Sequence, residues 1–337
     1  MKGIKVLIVD DSSLAREFIK AILATDGDVI IAGEAENGRE AVEKTRALRP
    51  DIVIMDIEMP IMGGLEAIEI IMGENPVPIL VVTSKGETDT AFRAISKGAL
   101  EVLPKSAVDP DNPKKFIEQV KILSRVKVIT HLKSRAKTGN GKDESDDKVP
   151  FKKIIAIAAS TGGPNALNTI LPELPKDYCC PIVIAQHISD GFEIGLAEWL
   201  SKISKLQVKV AEDGDLLMAG HVYISPPNRH MVVNYNNRIS FLEKKARDIY
   251  HPSCDILLMS VATVYGAKTI GVILTGMGKD GVIGMQKIKE MQGKTIAQDQ
   301  SSSIVFGMPK IAIETGCIDK VLPLAQIGQE LLNCGRL

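Results

Sequence analysis

Short apolar runs alternate with amphipathic stretches along the first third of the chain. The runs have the length and composition of buried strands, and they cover Ile4–Val9, Val29–Ala32, Ile52–Met55, Ile79–Val82 and Val102–Leu103. The stretches between them show helical spacing. A last helix is predicted from Phe116, Val120, Leu123 and Lys127, and it should run on into a linker. Five βα units of this length predict a doubly wound parallel sheet with its reactive groups at the carboxyl ends of the strands.

A polar segment separates this region from the rest of the chain. Residues 133–148 read KSRAKTGNGKDESDDK, and Ala136 is the one apolar residue among these sixteen. Such a segment cannot bury enough surface to offset the entropy of ordering it, so it is predicted to be a flexible linker. We therefore expect a first domain over residues 1–124, a helix end and linker over 125–150, and a second domain over 151–335.

The second domain repeats the strand–helix alternation with one interruption. Ile154–Ala158, Ile182–Ala185 and Ile270–Leu274 are predicted strands. Between the last two, the segments His221–Ser225, Met231–Asn234 and Arg238–Leu242 are separated by Pro and Asn pairs, a pattern typical of an antiparallel insertion. The expected architecture is an α/β/α domain with a mostly parallel sheet and an antiparallel hairpin insertion.

Composition excludes several classes of protein. The 337 residues suit two domains, and 41 Lys and Arg against 42 Asp and Glu leave a net charge of -1, without the basic excess that nucleic-acid binding requires. Five cysteines without a C-x-x-C pair predict neither a disulfide framework nor a zinc site. The N-terminal apolar run is too short for a signal peptide, and no stretch approaches the length of a membrane span. We expect a cytoplasmic protein without membrane insertion.

Acidic, hydroxyl and basic side chains follow four strands of the first domain. Asp10 and Asp11 end the first strand, Asp56 the third and Thr83 the fourth, and Lys105 follows the fifth. These side chains converge on one edge of a parallel sheet. Each aspartate alone would more often be a cap or turn residue, but the combination predicts a hard dication among the carboxylates and a group oriented on Asp56.

The first strand of the second domain runs directly into a small-residue turn that contains Ser160. The sequence Ala-Ser-Thr-Gly-Gly-Pro over 159–164 exposes the hydroxyl beside backbone amides at a helix N-terminus. A phosphate cradle, a serine nucleophile and plain helix capping are equally compatible with this turn.

Two further strand ends favour the nucleophile. His187 ends the next strand, and Asp280 lies in the loop after the strand Ile270–Leu274. A serine, a histidine and an aspartate on three strand-end loops of one sheet are the arrangement that general-base activation needs, whereas a phosphate cradle requires neither His187 nor Asp280.

Residues 1–124 resemble a response-regulator receiver domain, which has a flavodoxin-like (βα)5 fold. The motifs are VDDS at 9–12, MDIEMPIMGG at 55–64, VTS at 82–84 and the lysine at 105. The resemblance implies that a histidine kinase phosphorylates Asp56 and that Thr83 and Lys105 engage the phosphoryl group. It also implies a Mg²⁺ site formed by Asp10, Asp11, Asp56 and the backbone of Glu58.

Residues 151–335 resemble the catalytic domain of the chemotaxis protein-glutamate methylesterase family, CheB. The motifs are ASTGGP at 159–164, QH at 186–187, RHM at 229–231, HPSCD at 251–255, LTGMGKDG at 274–281 and the AQD…FGMP segment from 297 to 309. The resemblance implies a nucleophile at Ser160, a general base and acid at His187, an orienting carboxylate at Asp280, and oxyanion-binding backbone amides at Thr161 and Met277.

The implied reaction is hydrolysis of glutamate γ-methyl esters on the cytoplasmic helices of chemoreceptors, with methanol as product and no cofactor. Deamidation of receptor glutamines is implied too. A signalling adaptor whose second domain only binds a partner is the alternative from another class, and an intact set of Ser160, His187 and Asp280 argues against it. A phosphosugar-binding enzyme is a further candidate when the Ser-Thr-Gly-Gly turn is considered alone.

Overall fold

The computed structural model describes residues 3–84, 88–126, 128, 151–243 and 250–336. The linker predicted over 133–148 lies outside these residues. Within the described ranges, no helix combines the length and the apolar character that crossing a bilayer requires.

The first domain is a five-stranded parallel sheet in the order β2-β1-β3-β4-β5. Its strands are β1 Ile4–Val9, β2 Val29–Ala35, β3 Ile52–Met55, β4 Ile79–Thr83 and β5 Glu101–Pro104. Its helices are α1 Ser13–Leu23, α2 Gly38–Leu48, α3 Gly64–Glu74, α4 Thr88–Ser96 and α5 Pro113–Leu123. The predicted doubly wound sheet is therefore confirmed. All residues of β3 and β4 are buried, which explains why these strands are continuous apolar runs.

The last helix of this domain is shorter than predicted. Helix α5 ends at Leu123 and does not run on into the linker. The hydroxyl of Ser124 donates to the carbonyl of Lys121, and the amide of Arg125 donates to the carbonyl of Ile122. These bonds to residues three positions back tighten the chain into turns and end the α-helical pattern. Lys127 lies outside the described residues.

The second domain is built on a seven-stranded sheet in the order β14-β13-β12-β6-β7-β9-β8, and every pair of neighbours is parallel. The strands are β6 Ile154–Ala159, β7 Ile182–Gln186, β8 Gln207–Val210, β9 His221–Ile224, β10 Arg229–Val233, β11 Ile239–Glu243, β12 Thr269–Ile273, β13 Lys294–Gln298 and β14 Lys320–Leu322. The helices are α6 Gly163–Ile170, α7 Glu193–Ile203, α8 Cys254–Tyr265, α9 Val282–Glu290, α10 Met308–Glu314 and α11 Leu324–Arg336.

The antiparallel insertion is smaller than predicted. Strands β10 and β11 form the expected two-stranded antiparallel hairpin. The segment His221–Ser225 was wrongly assigned to this insertion, because β9 pairs in parallel with both β7 and β8 in the main sheet. Its buried Val222, Tyr223 and Ile224 are equally suitable for either sheet, so the pattern does not indicate the pairing partner. Strands β8, β13 and β14 were not predicted.

In both sheets the strand order reverses direction at the point where the predicted polar residues lie. In the first sheet β1 lies between β2 and β3, and in the second β6 lies between β12 and β7. A crevice opens at the carboxyl ends of the strands at such a reversal. The loops that carry Asp10 and Asp56 flank the first crevice, and those that carry Ser160 and Asp280 flank the second.

Helix α4 of the first domain packs against α6 and α7 of the second domain. Phe92 is 2% exposed, and its ring stacks on Trp199 with centroids 5.7 Å apart and meets Phe192 edge-on at 6.3 Å. Three buried aromatic rings therefore join the two domains in a chain with few aromatic residues.

Candidate active site

Ser160 lies in the turn between β6 and α6 and is 8% exposed. Its backbone amide donates to the Thr275 carbonyl, and its own carbonyl accepts hydrogen bonds from the Gly163 amide and the Gln186 side chain. Gly162 adopts a φ of +78°, which a residue with a side chain would rarely adopt. These bonds hold the Ser160 backbone at the carboxyl edge of the sheet.

His187 follows β7 and connects Ser160 to Asp280. Its Nδ1 lies 3.1 Å from the Ser160 Oγ, and its Nε2 lies 2.8 Å from the Asp280 Oδ2. Its backbone amide donates to the Ala159 carbonyl, which fixes the loop beside β6. The three residues predicted from strand ends therefore form one continuous chain of hydrogen bonds. With Nε2 donating to the carboxylate, Nδ1 is free to accept the Ser160 proton.

Asp280 is 1% exposed and lies against the N-terminus of α8. Its carboxylate accepts hydrogen bonds from the Ser253 hydroxyl at 3.1 Å, the Cys254 amide at 2.7 Å and the Asp255 amide at 3.0 Å. Burial opposes the charge, but the hydrogen bond from His187, together with those from the Asp255 and Cys254 amides, brings the Asp280 pKa below its ordinary value. The carboxylate therefore remains ionised beside the imidazole.

The backbones of Thr161 and Met277 lie in the two loops that meet at Ser160. The Thr275 hydroxyl donates to the Thr161 carbonyl at 3.0 Å and joins the two loops. A Cβ built on Gly276 would lie 2.7 Å from the Ser160 Cβ, so the second loop passes directly beside the serine. The side chain of Met277 is 36% exposed. This proximity is what the predicted oxyanion site requires, and the role of the two amides stays a prediction.

Three residues next to the predicted set were not identified from sequence as part of it. Ser253 donates to Asp280, the Cys254 thiol lies 3.6 Å from the His187 Nε2, and Tyr250 stacks on the His187 ring. Burial raises the pKa of the Cys254 thiol well above its ordinary value, so it stays protonated. A serine just before an apolar helix is a capping signal, but nothing in the sequence indicates that Asp280 lies opposite this cap.

The first domain brings Asp10, Asp56 and Lys105 together at the edge of its sheet. The Lys105 Nζ lies 2.7 Å from the Asp10 carboxylate and 2.6 Å from the Asp56 carboxylate. The Ser12 amide donates to Asp10, and the Ile57 amide donates to Asp56. Burial raises the pKa of Asp56, although Lys105 opposes this. Burial also disfavours the charge on Lys105, but its two carboxylate partners more than offset this and raise its pKa.

The same edge has the donor set of a hard dication. Oxygens of Asp10, Asp11 and Asp56 lie within 4.8 Å of one another. Asp11 is exposed, so this side of the cluster is open to water, as a cation that retains part of its hydration shell needs. Glu58 follows two residues after Asp56 with an exposed side chain, and Thr83 is fully buried at the end of β4. The residues present therefore fit Mg²⁺.

Comparison with known proteins gives matches to both domains. The family model of the CheB methylesterase matches residues 155–331, and that of the response regulator receiver domain matches residues 6–118. A protein-glutamate methylesterase/protein-glutamine glutaminase of Paramagnetospirillum magneticum is 46% identical over 98% of this chain and 96% of its own length. One of the same description from Pyrococcus horikoshii is 38% identical over 98% of this chain and 94% of its own length.

A solved structure matches the second domain. The CheB methylesterase catalytic domain of Thermotoga maritima is 44% identical and has a TM-score of 0.52, covering 55% of this chain and 99% of that domain. The relatives therefore match this chain in both domains, in their order and over nearly its whole length. The chain belongs to the CheB methylesterase family, and it carries a response-regulator receiver domain in front of the methylesterase domain.

Proposed function

We propose that this protein is a phosphorylation-activated serine hydrolase that removes methyl groups from glutamate γ-methyl esters of chemoreceptors. The observation that supports this best is the hydrogen-bonded chain from Ser160 through His187 to Asp280, at 3.1 and 2.8 Å. Such a chain activates a serine hydroxyl for acyl transfer. The proposed site of action is the cytoplasm, where the receptor helices that carry the esters are accessible.

The first half of the proposed reaction is transfer of the glutamyl group to the enzyme. His187 Nδ1 takes the proton from Ser160 as its Oγ attacks the ester carbonyl carbon, and the carbonyl π electrons move to oxygen. The amides of Thr161 and Met277 stabilise this oxyanion. The tetrahedral intermediate then collapses, the bond to the methoxy oxygen breaks, and His187 gives its proton to that oxygen to release methanol.

The second half is hydrolysis of the glutamyl–Ser160 ester. His187 takes a proton from water, the hydroxide oxygen bonds to the carbonyl carbon, and the bond to Ser160 Oγ breaks as the proton returns to Oγ. The product is a receptor glutamate. Asp280 compensates the imidazolium in both halves. A glutamine side chain enters the same sequence with ammonia as the leaving group, which gives the proposed deamidase activity.

The receiver domain is proposed to take a phosphoryl group on Asp56 from a chemotaxis histidine kinase. Mg²⁺ held by Asp10, Asp11, Asp56 and the backbone of Glu58 would supply positive charge next to the acidic oxygens. Lys105 already pairs with Asp56, and Thr83 ends the neighbouring strand. The ion pair of Lys105 with Asp56 supports the proposal that Lys105 and Thr83 contact a phosphoryl group on Asp56.

The contact between the domains supports control of the hydrolase by the receiver. Helix α4, which lies between β4 and β5 in the chain, packs against α6, the helix that follows Ser160. Glu101 at the start of β5 also accepts a hydrogen bond from the Gly162 amide. In this closed arrangement the receiver restricts the loop next to Ser160. A change at Asp56 that moves α4 and β5 would shift the population towards an open enzyme.

Methanol release from methylated chemoreceptor membranes tests the proposal. The full-length chain is measured with Mg²⁺, with and without beryllofluoride as a phosphoryl mimic. We expect low basal release that beryllofluoride raises. Ser160→Ala should abolish release in both conditions, and Asp56→Asn should keep basal release but lose the response.

Controls separate this function from its alternatives. Ser124→Ala removes one hydroxyl at the end of α5, whose hydrogen bond to the Lys121 carbonyl stays within that turn, and should behave like the parent. Full activity of a folded Ser160→Ala variant would overturn the hydrolase assignment and favour an adaptor. A phosphorylated parent with unchanged release would overturn the regulation while the esterase assignment stands.

A further inference from the structure

Tyr250 lies parallel to the ring of His187. The two ring centroids are 5.2 Å apart, and the planes differ by 5°. Tyr250 is partly buried and precedes the His-Pro-Ser segment that leads into α8. Its ring therefore covers a face of the imidazole, while the two ring nitrogens are directed at Ser160 and Asp280.

The hydroxyl end of Tyr250 reaches the loop between β12 and α9. A Cβ built on Gly278 would lie 2.7 Å from the Tyr250 hydroxyl, so the phenol packs directly on this backbone. Gly278 has a φ of +86° and lies between Met277 and Asp280 in sequence. Tyr250 thus extends from the histidine to the loop that carries the other predicted active-site groups.

We propose that Tyr250 is a positioning residue for His187. The proposal rests on the proposed function, because it assigns His187 the role of base and acid. A parallel ring prevents the imidazole from tilting out of the line between Ser160 and Asp280. The alignment of Nδ1 with the Ser160 Oγ is then largely established before substrate binds.

The face of the Tyr250 ring also attracts His187 electrostatically, and this attraction becomes stronger during the reaction. The π face of tyrosine carries negative charge density, and a cation within about 6 Å of the ring centroid is attracted to it. His187 is neutral when it accepts the serine proton and positively charged afterwards. The attraction is therefore stronger after proton transfer than before, and such an interaction increases kcat rather than only lowering KM.

The groups around His187 allow the ring to be tested separately from the hydroxyl. Asp280 and Cys254 lie at Nε2, Ser160 lies at Nδ1, and the Tyr250 ring lies over the face. Phenylalanine keeps the ring and removes the hydroxyl, whereas leucine removes the aromatic face but stays apolar. Because Tyr250 is partly exposed, neither change leaves a large cavity.

The test measures kcat and KM for methanol release by the full-length chain on methylated receptor membranes, with beryllofluoride and Mg²⁺. Tyr250→Phe should stay within about twofold of the parent, because the aromatic face remains. Tyr250→Leu should lower kcat about five- to tenfold with little change in KM. Tyr235→Leu is the matched control, since Tyr235 is 75% exposed on the β10–β11 hairpin, and it should match the parent.

A second measurement reports on the histidine directly. In the NMR spectrum, the proton on His187 Nε2 that binds Asp280 should resonate far downfield in the parent and in Tyr250→Phe. It should broaden or disappear in a folded Tyr250→Leu variant, because the imidazole is then free to tilt.

Three outcomes would overturn the inference. The first is an unchanged kcat in Tyr250→Leu. The second is a change in KM alone, which would indicate that Tyr250 contacts the substrate. The third is an unchanged signal of the His187 Nε2 proton in Tyr250→Leu. Ser160→Ala is measured in parallel. If Ser160→Ala retains activity, the proposed function fails. If only the Tyr250→Leu result is contrary, the inference alone fails.

Discussion

The carboxylate of Glu101 accepts a 3.1 Å hydrogen bond from the backbone amide of Gly162. Glu101 is the first residue of β5 in the receiver, and Gly162 lies two residues beyond Ser160. Lys105, just past the other end of β5, pairs with Asp56. One short strand therefore links the proposed phosphorylation site to the turn that holds the proposed nucleophile.

Loss of this hydrogen bond should favour the open enzyme. Glu101→Ala removes the acceptor, and a hydrogen bond of this kind contributes about 0.5–1.5 kcal/mol. We expect basal methanol release without a phosphodonor to rise about two- to tenfold. Glu118→Ala, on the exposed face of α5, is the matched control and should keep the low basal rate. Equal basal rates in the two variants would contradict the role of Glu101.

Glu101 also makes domain closure sensitive to pH. Burial at the interface raises the pKa of Glu101 from 4.5 to about 7, while the Gly162 and Val102 amides oppose the rise. The closed form therefore binds a proton that the open form, with Glu101 in water, has released. Closure is favoured at low pH and weakens as the pH rises through the closed-form pKa.

The ratio of two basal rates isolates this effect from the titration of the reaction itself. Basal methanol release by the parent is divided by that of Glu101→Gln, whose side chain stays neutral and still accepts the Gly162 hydrogen bond. We expect the ratio to increase as the pH rises from about 4.5 to about 7 and to level off at higher pH, as the parent opens and the variant does not. A ratio that is constant over this range would show that Glu101 does not titrate with closure.

The aromatic contact should stabilise the closed form independently of Glu101. Phe92→Ala removes the ring that stacks on Trp199 and meets Phe192. Truncation of a buried phenylalanine costs about 3–5 kcal/mol in a core, and here most of the cost should fall on docking of the two domains. We expect high basal methanol release and a weak response to beryllofluoride. Phe18→Ala is the control, because Phe18 lies on α1 and is 40% exposed. This variant should keep the parent's response to beryllofluoride.

Structural features that depend on a single segment of the chain are the ones that the sequence predicts best. Strands β1 and β3 have the predicted bounds because each is a mainly apolar run, interrupted in β1 by Lys5 alone, and each is followed directly by an aspartate. Ser160, His187 and Asp280 could be found because each closely follows a strand, and parallel strands bring their carboxyl ends to one edge. Contacts between distant segments leave no such signal. Glu101 on Gly162, Tyr250 on His187, and β9 in the main sheet all depend on pairings that no local pattern specifies.

Replacement of Asp280 by asparagine, its closest neutral analogue, should abolish most of the methanol release. The carboxylate accepts hydrogen bonds from His187, Ser253, Cys254 and Asp255, and both its oxygens act as acceptors. The amide of asparagine would direct its NH₂ group at a donor or at His187, where it would reverse the histidine tautomer. In Ser-His-Asp hydrolases such a change lowers kcat by about 10⁴-fold, and we expect a loss of that order in methanol release for Asp280→Asn.

Ser253→Ala removes one hydrogen-bond donor to Asp280 and leaves the others in place. Its kcat for methanol release should therefore fall much less than that of Asp280→Asn. A neutral asparagine variant with more than a tenth of parental activity would rule out the proposed role of Asp280. Circular dichroism on both variants shows whether the fold is retained.

The close approach of Gly276 to Ser160 gives a test of the active-site backbone. A Cβ at position 276 would meet the Met308 Sδ, which belongs to a flexible side chain, and would lie 2.7 Å from the Ser160 Cβ, closer than such atoms can approach, so one of the two loops has to move as well. Gly276 is fixed on both sides, since its amide donates to the Val305 carbonyl and its carbonyl accepts from the Met308 amide. The movement should therefore fall on Ser160 and displace its Oγ from His187.

Gly276→Ala should lower kcat about a hundredfold, because a displacement of about 1 Å at a reacting group has an effect of this size. Gly73→Ala is the matched control. Gly73 lies in α3, and among the described residues nothing beyond its chain neighbours and the backbone of its own helix lies within 4 Å of an added Cβ, so alanine should be accepted there and stabilise the helix by up to about 1 kcal/mol. Methanol release and thermal unfolding are measured on both variants. Parental activity in Gly276→Ala would mean that the loop after β12 can move without disturbing Ser160.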